Sequence, residues 1–173
     1  MAGSYDHLIK RFLGSLRPGG PPATETAWVI EHLLPEEQAL WCRMSGPDRR
    51  HSAAVARRVE AALGHEATRP VLAAALLHDV GKVEAGLRTY GRVIATLSAK
   101  VAGADTAATW RRQRGFARRV GLYLQHDKIG GDLLQMAGSD PLTVAWAREH
   151  HRPEAEWTVP RSTAEALNAA DDD

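Results

Sequence analysis

Cysteine is nearly absent from this chain: Cys42 stands alone among 173 residues, so no internal disulfide can form. Long apolar runs are missing as well, since the longest aliphatic stretch, Val71 to Leu77, is far too short to span a bilayer. The net charge is only +1, which gives the whole chain no bulk attraction to nucleic acid or membranes. The N-terminus also lacks the basic and apolar segments of a secretory signal. Together these absences predict a cytoplasmic protein without a transmembrane segment.

Alternation of polar and apolar residues, the pattern of half-buried strands, is also missing. Apolar residues instead recur at helical spacing, and 173 residues suit one domain with a substantial core. The sequence therefore predicts an all-α fold, a single-domain bundle of about seven to nine helices. Residues 1–46 are expected to form N-terminal helices on or beside the core, with a Pro- and Gly-rich linker at 17–23 after a first helix at 5–16. Residues 47–173 are expected to form the main helical domain.

The most apolar predicted helix ends in His78 and Asp79, and Gly81 is expected to break it directly afterwards. Burying an imidazole beside a carboxylate costs several kcal/mol unless a cation or hydrogen bonds compensate. A metal ion would compensate both groups at once. Similar placements, at helix ends or on inward helix faces, recur at His51, His126, His150, His151 and Asp171. Helix ends that converge on one cavity commonly build the metal sites of all-α proteins.

Each of these residues alone has a simpler interpretation. A lone inward histidine is more often a satisfied core residue than a ligand. The adjacent pair His150 and His151 also suits a helix C-terminus, where the helix dipole favours cations. Taken together, however, several buried titratable groups need partners, and a shared cation would supply them. The set therefore favours metal binding over chance.

The order His51, then His78-Asp79, then Asp171 resembles the HD-domain superfamily of metal-dependent phosphohydrolases. The resemblance runs from about residue 47 to the C-terminus. The extension His-Asp-Val-Gly-Lys, His126 followed by Gly130, and the pair His150-His151 look like the subset with two or more metals. That subset includes the HD-GYP cyclic-dinucleotide phosphodiesterases and the HD-type hydrolases of diadenosine tetraphosphate. The Gly-Tyr-Pro loop of the HD-GYP group is replaced here by Arg152 to Trp157, which disfavours cyclic-dinucleotide cleavage.

The resemblance implies an HD-like helical domain and a specific set of metal ligands. Its basic set would be His51, His78, Asp79 and Asp171, with Asp79 bridging two ions. A second ion would be completed by His126 and by one or both of His150 and His151. Nitrogen and oxygen ligands without thiolate suit iron or manganese, with magnesium, cobalt, nickel and zinc as alternatives. The expected cofactor is therefore a divalent metal, as two ions.

Two such ions would activate water at neutral pH and clamp phosphate oxygens. Asp79 would then be a catalytic residue as well as a ligand. Lys82, three residues further on, would stabilise charge developing on a phosphoryl oxygen. The expected function is hydrolysis of a phosphoester or phosphoanhydride of a nucleotide or related small phosphate. The alternative is a catalytically silent HD regulatory module that senses a nucleotide or a metal.

Residues 82–128 are strongly basic, with ten Lys or Arg against three Asp or Glu, and are densest from Arg111 to Arg119. A solvated face is the simplest interpretation. The alternatives are a grip on a polyanionic substrate, with Arg118 and Arg119 as candidate substrate-binding residues, or docking on an anionic surface such as nucleic acid or lipid. Residues 90–101 and 106–125 are each expected to form one helix. Trp110, Phe116 and Tyr123 are interpreted as core anchors of the second one.

Overall fold

The computed structural model describes residues 19–87 and 109–172. The helices expected at residues 5–16 and 90–101 lie outside this part of the chain. Within it there are eight α-helices with described bounds, helical residues at 109–111, three short 3-10 segments and no strand, so the predicted all-α, single-domain class is confirmed. No helix in the described ranges has both the length and the apolar character needed to cross a membrane.

Within each of the two described ranges, the helices are joined by short connections. They are α1 Ala23–Glu31, α2 Pro35–Arg43, α3 Gly46–Leu63, α4 Arg69–Leu77, α5 Gly115–Tyr123, α6 His126–Met136, α7 Pro141–Glu149 and α8 Arg161–Asp172. The 3-10 segments are Gly64–Glu66, Val80–Glu84 and Glu154–Glu156. Helices α2, α3, α4 and α7 each have a proline in their first turn. Proline helps to start a helix because its fixed φ suits the helix and its missing N–H would be unpaired there anyway.

Helix α4 is the centre of the core. Every residue from Val71 to Leu77 is buried, as expected of a helix that is apolar on all sides. Helices α3 and α7 pack against it, and α8 packs against α3. The N-terminal helices belong to the same core, since Val29 and Trp41 are fully buried in it and the Trp41 indole donates a hydrogen bond to Ser52 Oγ at 3.1 Å. This packing brings the end of α4 close to the ends of other helices.

The prediction that Gly81 ends the apolar helix is wrong. Helix α4 ends at Leu77, and Gly81 lies inside the following 3-10 segment, Val80–Glu84. A Cβ atom at position 81 would stand 1.9 Å from the carbonyl oxygen of His126 and 2.6 Å from the backbone nitrogen of Gly130. Gly81 is therefore required for close approach of this segment to α6, a tertiary contact that sequence spacing does not reveal.

The single helix expected over residues 106–125 is also interrupted. Residues 109–111 are helical, but the chain turns at 112–114 and restarts as α5 at Gly115, whose φ of 64° is in the left-handed region. Trp110 and Tyr123 are half-buried against a small second apolar cluster, in keeping with the anchoring role predicted for them. Phe116 is not an anchor, because half of its surface (50%) is exposed.

Candidate metal centre

Asp79 and the six other candidate ligands predicted from the sequence lie together in one cluster. His51 lies in the first half of α3, and His78 and Asp79 directly follow α4. His126 is the first residue of α6, the pair His150 and His151 directly follows α7, and Asp171 lies in the last turn of α8. Five separate segments thus contribute side chains to one cluster.

The first group of potential ligands comprises His51, His78 and Asp79. One ligand atom from each lies within 4.8 Å of the others. Asp171 adjoins this group, since its Oδ1 is 2.7 Å from His51 Nε2 and 3.7 Å from His78 Nε2. Two nitrogens bound about 2.1 Å from a tetrahedral ion are about 3.4 Å apart, so the ligand atoms would have to approach one another by up to about 1.4 Å to share a cation.

The second group comprises Asp79, His126, His150 and His151, again with ligand atoms within 4.8 Å of one another. Asp79 Oδ1 is 3.3 Å from His126 Nε2 and 3.8 Å from His150 Nε2. The Nε2 atoms of His126 and His151 are 3.2 Å apart. The other carboxylate oxygen, Asp79 Oδ2, faces His78 Nε2 at 3.5 Å. The two oxygens of Asp79 therefore point to different groups.

Three of the histidines are oriented by the same backbone contact. The Nδ1 atoms of His78, His126 and His150 lie 2.9, 2.7 and 3.1 Å from the carbonyl oxygen three residues earlier, to which each Nδ1–H can donate. This contact favours a proton on Nδ1 and leaves the Nε2 lone pair aimed at the cluster. Histidine ligands of metals are usually held by such a hydrogen bond on the other ring nitrogen.

Two of these inward-facing nitrogens have no hydrogen-bond partner. His78 is 2% exposed and His150 is 7% exposed, yet neither Nε2 has a hydrogen-bond partner within residues 19–87 and 109–172, since the Asp79 oxygens lie 3.5 and 3.8 Å from them. A buried polar atom without a partner costs about 1–3 kcal/mol, so its occurrence calls for an explanation. A cation between the side chains would satisfy both nitrogens. The donor set and the unpaired atoms thus both fit a metal ion.

Lys82 forms an ion pair with Asp79 Oδ2, a contact that was not predicted from the sequence. Its side chain is 14% exposed, and its Nζ lies 5.9 Å from the centre of the Tyr123 ring. Burial alone would lower the Lys82 pKa, but the adjacent Asp79 carboxylate outweighs it and raises the pKa. Lys82 therefore stays cationic at the edge of the cluster.

The charges in the cluster shift several pKa values. Burial would raise the pKa of Asp79, but the positive charges of Lys82 and His78 hold it well below its ordinary value. Burial would lower the pKa of His78, but Asp79 and Asp171 outweigh it and raise the pKa to about 9. Burial lowers the pKa of His150. Desolvation, with the charges of His150 and His126, lowers that of His151 to about 3 even though part of this residue is exposed.

Metal binding is consequently expected to release about one proton per chain from His78 at pH 7. With a pKa of about 9 in the metal-free protein, this imidazole is protonated below pH 9 and must lose its proton to bind a cation. His150 and His151, with lowered pKa values, have no proton to lose. Apparent metal affinity should rise about ten-fold per pH unit between pH 7 and 8.5. Calorimetric titration in buffers of different ionisation enthalpy measures the proton, and an affinity independent of pH would contradict the expectation.

Two further residues shape the centre without having been predicted as site residues. The Tyr123 ring lies beside the site, 5.6 Å from that of His126. Glu149, 6% exposed, accepts hydrogen bonds of 2.7 Å from both the backbone N–H and the hydroxyl of Thr158, which closes the loop after His150 and His151. The helix dipole disfavours negative charge at this helix C-terminus, so these two hydrogen bonds help to stabilise the Glu149 carboxylate there.

The candidate substrate-binding residues Arg118 and Arg119 are both exposed on α5. In the described part of the chain, neither guanidinium has a hydrogen bond or ion pair to the cluster. Arg111 comes nearer, since its Nη1 donates a 3.1 Å hydrogen bond to Gln125, the residue before His126. The guanidinium groups of Arg118 and Arg119 are therefore not part of the ligand cluster.

Comparison of the chain with protein-family profiles, curated proteins and solved structures found no match. A proposal about function therefore depends on the geometry of the cluster. It shows a buried His and Asp group that could hold a metal ion, with a lysine paired to its central carboxylate.

Proposed function

We propose that this chain is a metal-dependent phosphohydrolase of the HD type that cleaves a phosphoester or phosphoanhydride of a nucleotide or related small phosphate. The arrangement of Asp79 is the observation that carries the proposal. Its Oδ2 faces the group of His51 and His78, while its Oδ1 faces that of His126 and His150. A carboxylate with one oxygen toward each ligand group could contribute one ligand to each of two divalent ions. Iron or manganese fits nitrogen and oxygen ligands without thiolate.

Two ions held by these groups would supply Lewis acidity toward phosphate oxygens and lower the pKa of bound water. The chain's own residues would position the reactants. Asp79 gives negative charge to both groups, and the backbone hydrogen bonds of His78, His126 and His150 limit rotation of their rings. The Lys82 ammonium lies where it can pair with a phosphoryl oxygen that gains negative charge during cleavage.

Metal content and turnover test the proposal together. Protein purified without chelators is expected to contain two ions per chain by elemental analysis and to release phosphate or a nucleotide from a panel of nucleotide esters and anhydrides. His150→Ala should lower the content to one ion and abolish turnover. His65→Ala is the matched control, because His65 is exposed and outside both groups, and it should change neither.

Two results would overturn the assignment. Protein without tightly bound ions would remove its basis. Two bound ions without turnover of any nucleotide, in iron or manganese, would instead favour the regulatory module that binds a metal or nucleotide without cleaving it.

A further inference from the structure

The surface of α5 and the turn before it combines exposed positive charge with an exposed aromatic ring. All five arginines between residues 109 and 125 are exposed, and no Asp or Glu occurs in that range. The exposed arginines are Arg111, Arg112, Arg114, Arg118 and Arg119. Phe116 stands among them with 50% of its surface exposed. A large aromatic side chain in solvent among cations can contact a ligand that offers both planar rings and negative charge.

Three residues of α5 form a stripe along one face of the helix. Phe116, Arg119 and Tyr123 follow the spacing i, i+3 and i+7, which places them within about 60° of one another around the helix axis. The stripe is about 10 Å long from Phe116 to Tyr123. Arg118 points about 100° or more away from all three. We call Phe116, Arg119 and Tyr123 the aromatic–basic stripe.

The stripe ends at the candidate metal centre. The Tyr123 ring is 5.6 Å from the His126 ring, and Lys82 Nζ is 5.9 Å from the Tyr123 ring. Arg111 adds a cation beside this end through its hydrogen bond to Gln125. A ligand with one phosphate at the cluster could therefore extend along the stripe and contact it with its other groups.

We propose that the aromatic–basic stripe binds a short single-stranded oligonucleotide, with one phosphate at the His and Asp cluster, a neighbouring phosphate near Arg119 and a base stacked on Phe116. Sequence-tolerant binding of single strands combines these two elements, a basic track for the backbone and aromatic rings for the bases. The placement of a phosphate at the cluster rests on the proposed function; stacking and charge pairing along α5 do not need metal.

The structure favours a nucleic acid over an anionic membrane as the occupant. An amphipathic helix that lies on a membrane inserts a broad apolar face. In α5 that face is already used in the protein interior, where Val120 and Leu122 are buried. Phe116 is the one large apolar side chain of the helix with an exposed surface of half or more. One exposed ring suits stacking on a base better than insertion into lipid.

Fluorescence anisotropy with the full chain and a labelled five-nucleotide oligoadenylate tests this proposal, in EDTA so that no cleavage occurs. Phe116→Ala should weaken binding about ten-fold or more, the loss expected for one stacked base. Arg119→Gln should weaken binding and reduce the slope of log affinity against log salt by about 0.7. Arg118→Gln, which removes the same charge from a position off the stripe, should keep affinity within about two-fold of the original. Thermal unfolding checks that each surface variant is folded.

Several outcomes would contradict the proposal that the aromatic–basic stripe binds an oligonucleotide. These are absence of oligonucleotide binding, equal effects of the Arg118 and Arg119 variants, or wild-type affinity of Phe116→Ala. A preference for phosphatidylserine vesicles over the oligonucleotide, lost in Phe116→Ala, would assign the surface to lipid instead. Stripe-dependent binding without hydrolysis of any nucleotide would leave this inference standing and remove the proposed function. Hydrolysis of mononucleotides without oligonucleotide binding would support the proposed function and contradict this inference.

Discussion

Asp79→Asn is expected to remove both metal ions from the purified protein and to abolish phosphohydrolysis. Each oxygen of Asp79 faces a different ligand group, so neutralising this one side chain weakens both. Changes that only disturb the support of a ligand cost about 10–100-fold in metal affinity, and loss of a charged ligand should exceed this. Retention of one ion would show that the carboxylate does not serve both groups.

The same substitution is expected to destabilise the metal-free protein by about 3 kcal/mol, because it leaves the Lys82 ammonium without its buried partner. Thermal unfolding in EDTA measures this as a fall in Tm of roughly 6–12 °C. Asp132→Asn is the matched control. Its carboxylate is 70% exposed and pairs with Arg148 at 2.8 Å, so its removal should cost less than about 1 kcal/mol. Equal stability of the two variants would contradict the role given to the Asp79–Lys82 pair.

Gly81→Ala is expected to lower stability by about 3 kcal/mol and to reduce metal content from two ions toward one. The new Cβ would meet backbone atoms of His126 and Gly130, which cannot rotate aside as a side chain can. The segment Val80–Glu84 must then move away from α6, which separates Asp79 from His126. Thermal unfolding and elemental analysis measure the two effects.

Gly130→Ala tests the same contact between the segment Val80–Glu84 and α6, with the new Cβ placed on α6. The nearest neighbour of its new Cβ would be the backbone nitrogen of Gly81 at 3.2 Å. A Cβ at Gly81 would instead stand 2.6 Å from the Gly130 nitrogen and 1.9 Å from the His126 oxygen, so a smaller loss is expected for Gly130→Ala. Wild-type stability and metal content in Gly81→Ala would show that the close approach of the two segments has no structural role.

The candidate ligands could be found in the sequence because each stands where an apolar helical pattern stops or turns inward. His78 follows seven consecutive apolar residues, and His150 follows the helix that begins at Asp140 and Pro141. These patterns involve residues that are close in the sequence, so the spacing of apolar residues is enough to detect them. The structure adds that these positions meet, a result of packing around α4.

The features that the sequence did not reveal depend on contacts between distant segments. Gly81 has the appearance of a helix terminator, and only the position of α6 shows that a close approach requires it. Phe116 and Tyr123 have the spacing of core residues, yet one is exposed and the other lies beside His126. Helical spacing fixes which residues share a face but not what that face meets.

The distribution of the ligands along the chain has a consequence for synthesis in the cell. His51 and Asp171 are in contact although they are 120 positions apart in the sequence, and the second group includes residues from Asp79 to His151. A ribosome-bound fragment that stops short of position 150 lacks half of the second group. The full set of candidate ligands can therefore come together only after synthesis has passed residue 171, so a shorter nascent chain would lack part of the proposed metal centre.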